Sequence, residues 1–384
     1  MAVRLVDTPQ SFQALLGEIR SAPLVALDTE AASFHRYHDR IYLIQLSTPA
    51  LTAVIDPLGV GDLSAVGELL ADPDTEKVFH DADYDLRLFD RQFGFRAKRL
   101  FDTRIAAQFL NEPGIGLGAL LQKYFGIVAN KRFQRADWSA RPLSGAMLEY
   151  AAGDTSNLCE LQLILLTKLA GISRLSWVLE ECALLEGTRW TAAEADPQSD
   201  YLHLKGAKAL DRRSLALLRE LHRWRAESAA SLDRAEFRVM GNEVLLQLAQ
   251  HPVATIGELG AVKGVGRETL ERRGDEIVQA IARGQAVPDG DLPRLPRAPR
   301  HTPDPVLAVR LEALKKARNT AAAVLMLAPG VLCPNGTLEA IAQAEPENLT
   351  TLATVVGVRQ WQLEVLGSEL LTAMHSAAVP VKEA

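Results

Sequence analysis

Cysteine is scarce in this chain: Cys159, Cys182 and Cys333 are the only three among 384 residues. They are too few and too scattered for a disulfide framework or a cysteine-based zinc site. No disulfide-linked partner is expected, and a reducing, cytoplasmic setting fits. Long apolar runs are missing too. Asp7 interrupts the N-terminus before anything like a signal peptide can form. The least charged stretch, Asn319–Thr337, is broken by Pro329, Gly330, Pro334 and Gly336, which excludes a membrane span. Nor is there an excess of positive charge, since 42 Lys/Arg face 48 Asp/Glu for a net −6. What is present is ordinary for globular protein, 48% hydrophobic and 23% charged, which rules out disorder over most of the length. The length itself suggests two or three domains.

The charge is unevenly spread. Residues 1–204 carry 19 Lys/Arg against 27 Asp/Glu, residues 205–283 carry 14 against 11, and residues 284–384 carry 9 against 10. An acidic front half beside a mildly basic module suits a carboxylate-rich metal site coupled to a polyanion-binding unit, and two ordinary soluble domains would give the same split. Short β-branched runs at Pro23–Asp28, Ile41–Ser47 and Leu51–Asp56 read as strands, with shorter candidates at Lys77–His80 and Arg99–Asp102. They alternate with helical periodicity near 10–20, 62–71, 82–93 and 103–110, which predicts a mixed sheet covered by helices. From about 116 the pattern is helical apart from a polar loop near 128–143. A Pro/Arg-rich linker at 285–303 predicts an extended spacer. Sliding the chain by 93 residues superposes Arg225 on Arg318, Leu245 on Leu338 and Gly264-Val265 on Gly357-Val358, so the two segments flanking that linker read as copies of one small helical fold. The divisions are therefore 1–200, 205–284, the linker 285–303, and 304–380.

Carboxylates form the strongest chemical signal. Asp28 and Glu30 stand two apart at the end of an apolar strand, so alternation points both to one face. Held together they repel unless a cation lies between them; the plainer alternative is that one caps the following turn. Asp85 lies where a short strand passes into a helix, deeper than Asp81 and Asp83 and off the face of Asp83, so capping does not account for it. Tyr150 and Asp154 are one helical turn apart on one face. Four carboxylates with no lysine cluster, plus one phenol, suit hard divalent cations. Two such cations can serve phosphodiester cleavage.

The order Asp-x-Glu, His-Asp-x-x-x-Asp, Tyr-x-x-x-Asp resembles the three motifs of the tyrosine-bearing branch of the DEDD exonuclease superfamily. Ile44-Gln45-Leu46-Ser47, Phe101-Asp102-Thr103 and Ala136-Asp137-Trp138-Ser139-Ala140-Arg141-Pro142-Leu143 narrow the resemblance to the ribonuclease D family over roughly residues 1–200. The doubled helical segments resemble that family's HRDC domains. The resemblance implies an α/β catalytic domain with a ribonuclease-H-like mixed sheet, followed by two small all-α HRDC-like domains. It implies metal-dependent 3′→5′ removal of nucleotides from RNA, with release of 5′-monophosphates, and tRNA precursors as substrates. Asp28, Glu30, Asp85 and Asp154 would then be ligands of two divalent cations, Mg²⁺ or Mn²⁺, and Tyr150 would orient water. Gln45 and His80 match positions near the site.

Three residues depart from the family pattern: Ala136 stands for serine, Met147 for glutamine and Gly153 for alanine. None removes a ligand. Lys131, Arg132, Arg135 and Arg141 cluster before the third motif, interleaved with Phe133 and Trp138, which suits a single-strand contact and equally a packed Trp138 among solvated arginines. Lys131 and Arg141 best fit the family's basic positions. In the first helical segment, Lys263-Gly264-Val265-Gly266-Arg267 offers a glycine turn before a helix, with Lys263, Gly264, Gly266 and Arg267 as candidate nucleic-acid contacts. The second copy has Gly357-Val358-Arg359, without the second glycine, and reads as a packing or reach element. A 3′→5′ DNA exonuclease and a non-catalytic RNA-binding adaptor remain alternatives at this point.

Overall fold

In the computed structural model, which describes residues 3–191, 199–295 and 304–377, the β-branched runs of the first hundred residues make one six-stranded sheet. Its strands are β1 (Arg4–Val6), β2 (Leu24–Ala31), β3 (Ile41–Ser47), β4 (Thr52–Ile55), β5 (Glu76–Phe79) and β6 (Leu100–Asp102), in spatial order β1-β4-β3-β2-β5-β6. β2 lies centrally, antiparallel to β3 and parallel to β5. β1 escapes sequence reading because three residues are too few for alternation to register.

Helices cover both faces. α1 (Pro9–Ile19), α3 (Ser64–Ala71) and α4 (Asp83–Phe93) pack Phe12, Leu15, Val66, Leu86 and Phe89 on Leu27, Ile44 and Leu46, while the short α2 is Pro57–Val60. On the other face, α5 (Thr103–Phe109), α6 (Leu117–Phe125), α8 (Leu158–Gly171) and α9 (Leu175–Leu185) cover Ala26, Val78 and Phe101. α7 (Gly145–Gly153) joins that layer, setting Ala151 and Ala152 against Leu43 and Val54.

Two helical modules follow. The first contains α10 (Arg212–Leu232), α11 (Glu236–Val239), α12 (Asn242–Gln250), α13 (Ile256–Gly260) and α14 (Arg267–Ala286). The second contains α15 (Pro305–Leu325), α16 (Pro329–Leu332), α17 (Asn335–Ala344), α18 (Leu349–Leu352) and α19 (Gln360–His375). The 93-residue slide holds atom by atom. Buried Arg225 donates to Asn242 Oδ1 at 2.6 Å and the Met240 carbonyl at 3.3 Å; Arg318 donates to Asn335 Oδ1 at 2.7 Å and the Cys333 carbonyl at 3.0 Å. Gly264 and Gly357 both take left-handed φ, +96° and +91°. A Cβ on Gly264 would also lie 2.7 Å from Val244 Cγ2, so the turn needs glycine twice over.

The linker differs from expectation. α14 runs to Ala286, and Arg212 and Arg213 then hold the carbonyls of Val287, Asp289 and Leu292, folding the chain back onto α10. An extended spacer is thus excluded up to about Leu292, and Pro296, Arg297, Pro299, Arg300 and Pro303 lie outside the described residues.

Both modules touch the α/β domain. On the first, the Ala235 amide donates to the His35 carbonyl at 3.1 Å, and Arg238 Nε to the Phe34 carbonyl at 2.7 Å. On the second, Trp361 stacks on Trp177 at 5.0 Å between ring centres, and its apolar core is continuous with that of α5, α8 and α9. All three cysteines are buried and unpaired, and no helix among the described residues is long and apolar enough to cross a membrane.

Candidate active site

β2 extends to Ala31, so Asp28 and Glu30 lie within the strand, in register with Gln45 and Leu43 of β3. A turn-capping role for either is thereby excluded. Even-numbered β2 residues face the layer that contains α7, and α7 places Tyr150 there with Asp154 at its C-terminal cap. Gly153, as the last helical residue, therefore costs less than it would mid-helix. Asp85 arrives from the opposite layer on α4. The expectation that it lies deeper in its helix is corrected, because α4 starts at Asp83 and Asp85 sits in the first turn. That start is fixed from a distance: Asp102 accepts the Asp81 and Ala82 amides at 3.1 and 2.8 Å while also capping α5. The Thr29 hydroxyl donates to Asp85 Oδ1 and aims it across the sheet edge.

Electrostatics shows that the four acids share one environment. Burial, then Asp85, Asp154 and Glu30, push the Asp28 carboxyl well above the usual range. Burial, then Asp154 and Asp85, push Glu30 up to about 9. Burial raises Asp85 to about 7 and Asp154 to about 7. No lysine or arginine offsets these shifts, so the cluster has no basic partner of its own and is neutralised by protons or by a cation from solution. Tyr150 is also raised, first by burial and then by Asp154, Glu30 and Asp28, which keeps it a neutral phenol. Trp138 and Phe133 pack on its ring, each at 5.9 Å.

Gln45 is fully buried directly opposite Asp28, and neither amide atom has a protein partner. An all-oxygen donor set with an orphaned amide beside it fits a hard cation. Among the described residues, no three acids are already closed into a finished ion cage, so an ion would have to draw the carboxylates in. His80 Nδ1 lies 2.9 Å from Thr103 Oγ1, whose proton goes to the Phe79 carbonyl. Nδ1 is thereby the donor, and Nε2 keeps its lone pair. Burial lowers the His80 pKa, favouring that neutral ring.

The basic residues divide. Arg141 is occupied: its Nε and Nη2 donate to Asp56 at 2.6 and 2.9 Å, and its Nη1 to the Trp138 carbonyl at 2.7 Å. Its candidacy as an RNA contact is corrected to that of a strut under the Trp138 loop. Trp138, 1% exposed, is a packing residue. Lys131 is exposed, with no ion-pair partner among the described residues. In the first module, Gly266 leaves the start of α14 without a side-chain cap, Lys263 is exposed, and Arg267 pairs with Glu271 at 2.7 Å. That turn shares no hydrogen bond or ion pair with the α/β domain among the described residues. In the second module the equivalent turn is occupied. Glu180 Oε1 and Oε2 accept the Gln360 and Trp361 amides at 2.7 and 3.0 Å, and Glu181 accepts Arg359 Nε and Trp361 Nε1 at 3.2 and 2.9 Å. Sequence reading missed these two acids, since nothing local marks them as partners of residues some 180 positions away.

Comparison with known proteins agrees with this geometry. Residues 3–170 match a family model described as 3′-5′ exonuclease, and residues 214–281 and 308–374 each match the HRDC domain. Ribonuclease D of Granulibacter bethesdensis is 33% identical over 373 residues, spanning 96% of this chain and 91% of its own length. Ribonuclease D of Escherichia coli is 30% identical, over 77% of this chain and 78% of its own. The crystal structure of Escherichia coli RNase D, an exoribonuclease involved in structured RNA processing, aligns with a TM-score of 0.67 at 25% identity, covering 98% of this chain and 99% of that one. The catalytic core of RRP6 from Trypanosoma brucei aligns with a TM-score of 0.68 at 27% identity, covering 74% and 79%.

Proposed function

The chain belongs to the ribonuclease D family, a 3′→5′ exoribonuclease lineage, and on that premise we propose that Asp28, Glu30, Asp85 and Asp154 hold two divalent cations, Mg²⁺ or Mn²⁺, at which nucleotides are removed from RNA 3′ ends. The observation that carries this reading is the set of four buried carboxyls, all raised by that burial and two of them further by their neighbours in the set, with no basic partner. When bound, such cations neutralise phosphate charge and make water a competent nucleophile near neutral pH.

The chain's own residues do the rest. The carboxylates bind the cations. Tyr150, neutral and clamped between Trp138 and Phe133, offers its hydroxyl to orient the attacking water. Gln45 supplies an amide to the ion-and-substrate side of Asp28. Neutral His80, fixed through Thr103, presents Nε2 as an acceptor to a sugar hydroxyl. Lys131 attracts the incoming strand. The products are 5′-monophosphates, and precursors of tRNA and other stable RNAs are the substrates.

The deciding test digests matched 3′-labelled and 5′-labelled RNA and DNA strands with Mg²⁺ or Mn²⁺. RNA should shorten from its 3′ end, and Asp28→Asn should nearly abolish the reaction while RNA binding survives. Wild-type turnover by Asp28→Asn would sink the assignment.

A further inference from the structure

Loop 32–38, which leaves β2 just after Glu30, is where the first helical module meets the catalytic domain. Besides the two bonds to Ala235 and Arg238, Asp233 Oδ1 accepts the His38 amide at 3.1 Å, so the joint is a fixed one. Its centre is aromatic: Phe34 meets Phe237 of α11 at 4.9 Å. Two guanidinium groups lie on Phe34, Arg238 at 4.9 Å and Arg135, from the loop before α7, at 5.4 Å. Flat guanidinium groups stack on rings in this way while leaving their edges free to donate.

Neither arginine is neutralised. Arg135 and Arg238 form no ion pair among the described residues, and neither does the neighbouring Arg234. The nearby acids have other partners, although Asp137 and Asp233 line the same cleft as Arg234 and Arg238. Glu236 pairs with Arg225 at 2.8 Å, and Asp137 accepts Ser139 and faces Arg36 and His35. Asp233 is held by the His38 amide. Between loop 32–38 and the α10–α11 corner lies this cleft of about 240 Å³, lined by His35, Arg36, Asp137, Leu232, Asp233, Arg234 and Arg238, with Phe34 and Arg135 outside that lining. Uncompensated, pre-stacked guanidinium edges beside a small polar cleft favour a phosphate group. A polyanionic strand entering an acidic domain needs such charge close to its path.

We infer that this joint is a phosphate-binding site for RNA upstream of the scissile nucleotide, with Arg135 and Arg238 as the phosphate donors and Phe34 as the ring that fixes them. The inference rests on the ribonuclease reading of the carboxylate site but is read by a different quantity. A dinucleotide has one internucleotide phosphate, which the carboxylate site requires, so only longer strands can reach the joint.

The test compares the full chain with Arg135→Gln and with the double variant Arg135→Gln, Arg238→Gln. Arg135 makes no side-chain hydrogen bond among the described residues, so the single variant keeps the joint intact even if loss of the Arg238–Phe34 bond loosens it. Binding of a labelled single-stranded RNA of about a dozen nucleotides, with chelator present, is titrated at several salt concentrations. The log–log salt slope should fall by about 0.7 for the single variant and about 1.4 for the double. kcat/KM on that strand should fall roughly tenfold relative to kcat/KM on a dinucleotide. An unchanged slope, or a parallel loss on both substrates, would overturn the inference. Failure of the carboxylate reading would show instead as no metal-dependent cleavage of either substrate, with the binding slopes still deciding the joint.

Discussion

Tyr150 owes its position to rings rather than hydrogen bonds, so Tyr150→Phe keeps the packing on Trp138 and Phe133 and removes only the hydroxyl. Turnover should fall about 10–100-fold while calorimetric Mn²⁺ affinity stays within about twofold; loss of metal binding would make the tyrosine structural. The acids predict a pH effect with a definite sign. Their folded pKa values, about 7 for Asp85 and Asp154 and about 9 for Glu30, exceed the unfolded ones, so the native state binds more protons than the unfolded state across that range. The contribution of these groups to the stability of the metal-free protein should therefore be complete below about pH 4, the range in which they titrate when unfolded, and be lost as pH rises through about 7 towards about 9. Denaturation midpoints in chelator at several pH values would show it, and Asp85→Asn should flatten the decline. A midpoint that climbed with pH would contradict the picture. Arg141 makes the opposite kind of prediction from the one its sequence position suggests. Removing it leaves the buried Asp56 carboxylate unpaired, so Arg141→Ala should cost about 2–3 kcal/mol in denaturant unfolding and leave the salt slope of RNA binding intact.

At the scale of elements, what could be read from sequence followed periodicity and spacing. β2 and α7 carry their acids on faces that alternation and the i, i+4 rule identify, and the duplicated modules declare themselves through Arg225/Arg318 and Gly264/Gly357. What could not be read depends on distant chain. The start of α4 is set by Asp102, the occupancy of Arg141 by Asp56, and the Phe34 joint by residues near 34, 135 and 238. The fate of the second module's turn is of the same kind. Glu180 on α9 caps α19, a carboxylate at a helix N-terminus where amides and dipole both favour it, while its neighbour Glu181 holds the Arg359 and Trp361 side chains. Glu180→Gln with Glu181→Gln should weaken this contact by about 1–3 kcal/mol. Hydrogen exchange at the Gln360 and Trp361 amides would register it as lost protection, whereas unaltered protection would mean that the Trp177–Trp361 stack suffices.

For the whole molecule, the two copies of one fold have opposite relations to the catalytic domain. The first has its own core and an open turn at Lys263–Arg267; the second shares a core with α5, α8 and α9 and has its turn closed. Deleting the second module would bare Phe109 and Trp177, so a truncated enzyme should aggregate for reasons unrelated to RNA. A cleaner experiment introduces a protease site within 296–303 and cuts it. The freed second module should co-elute with the remainder at micromolar concentration and separate on dilution; separation at every concentration would show that the contact has no strength of its own. The reason lies in the capture of Glu180 by the α19 amides. While the chain is intact, that carboxylate is presented to them as if dissolved at around millimolar concentration. A phosphate from solution must outcompete a ligand that never diffuses away. Covalent continuity between Glu180 and α19 thus acts as a standing dose of competitor, reserving one anion-binding turn for the protein itself while its twin at Lys263–Arg267 stays open.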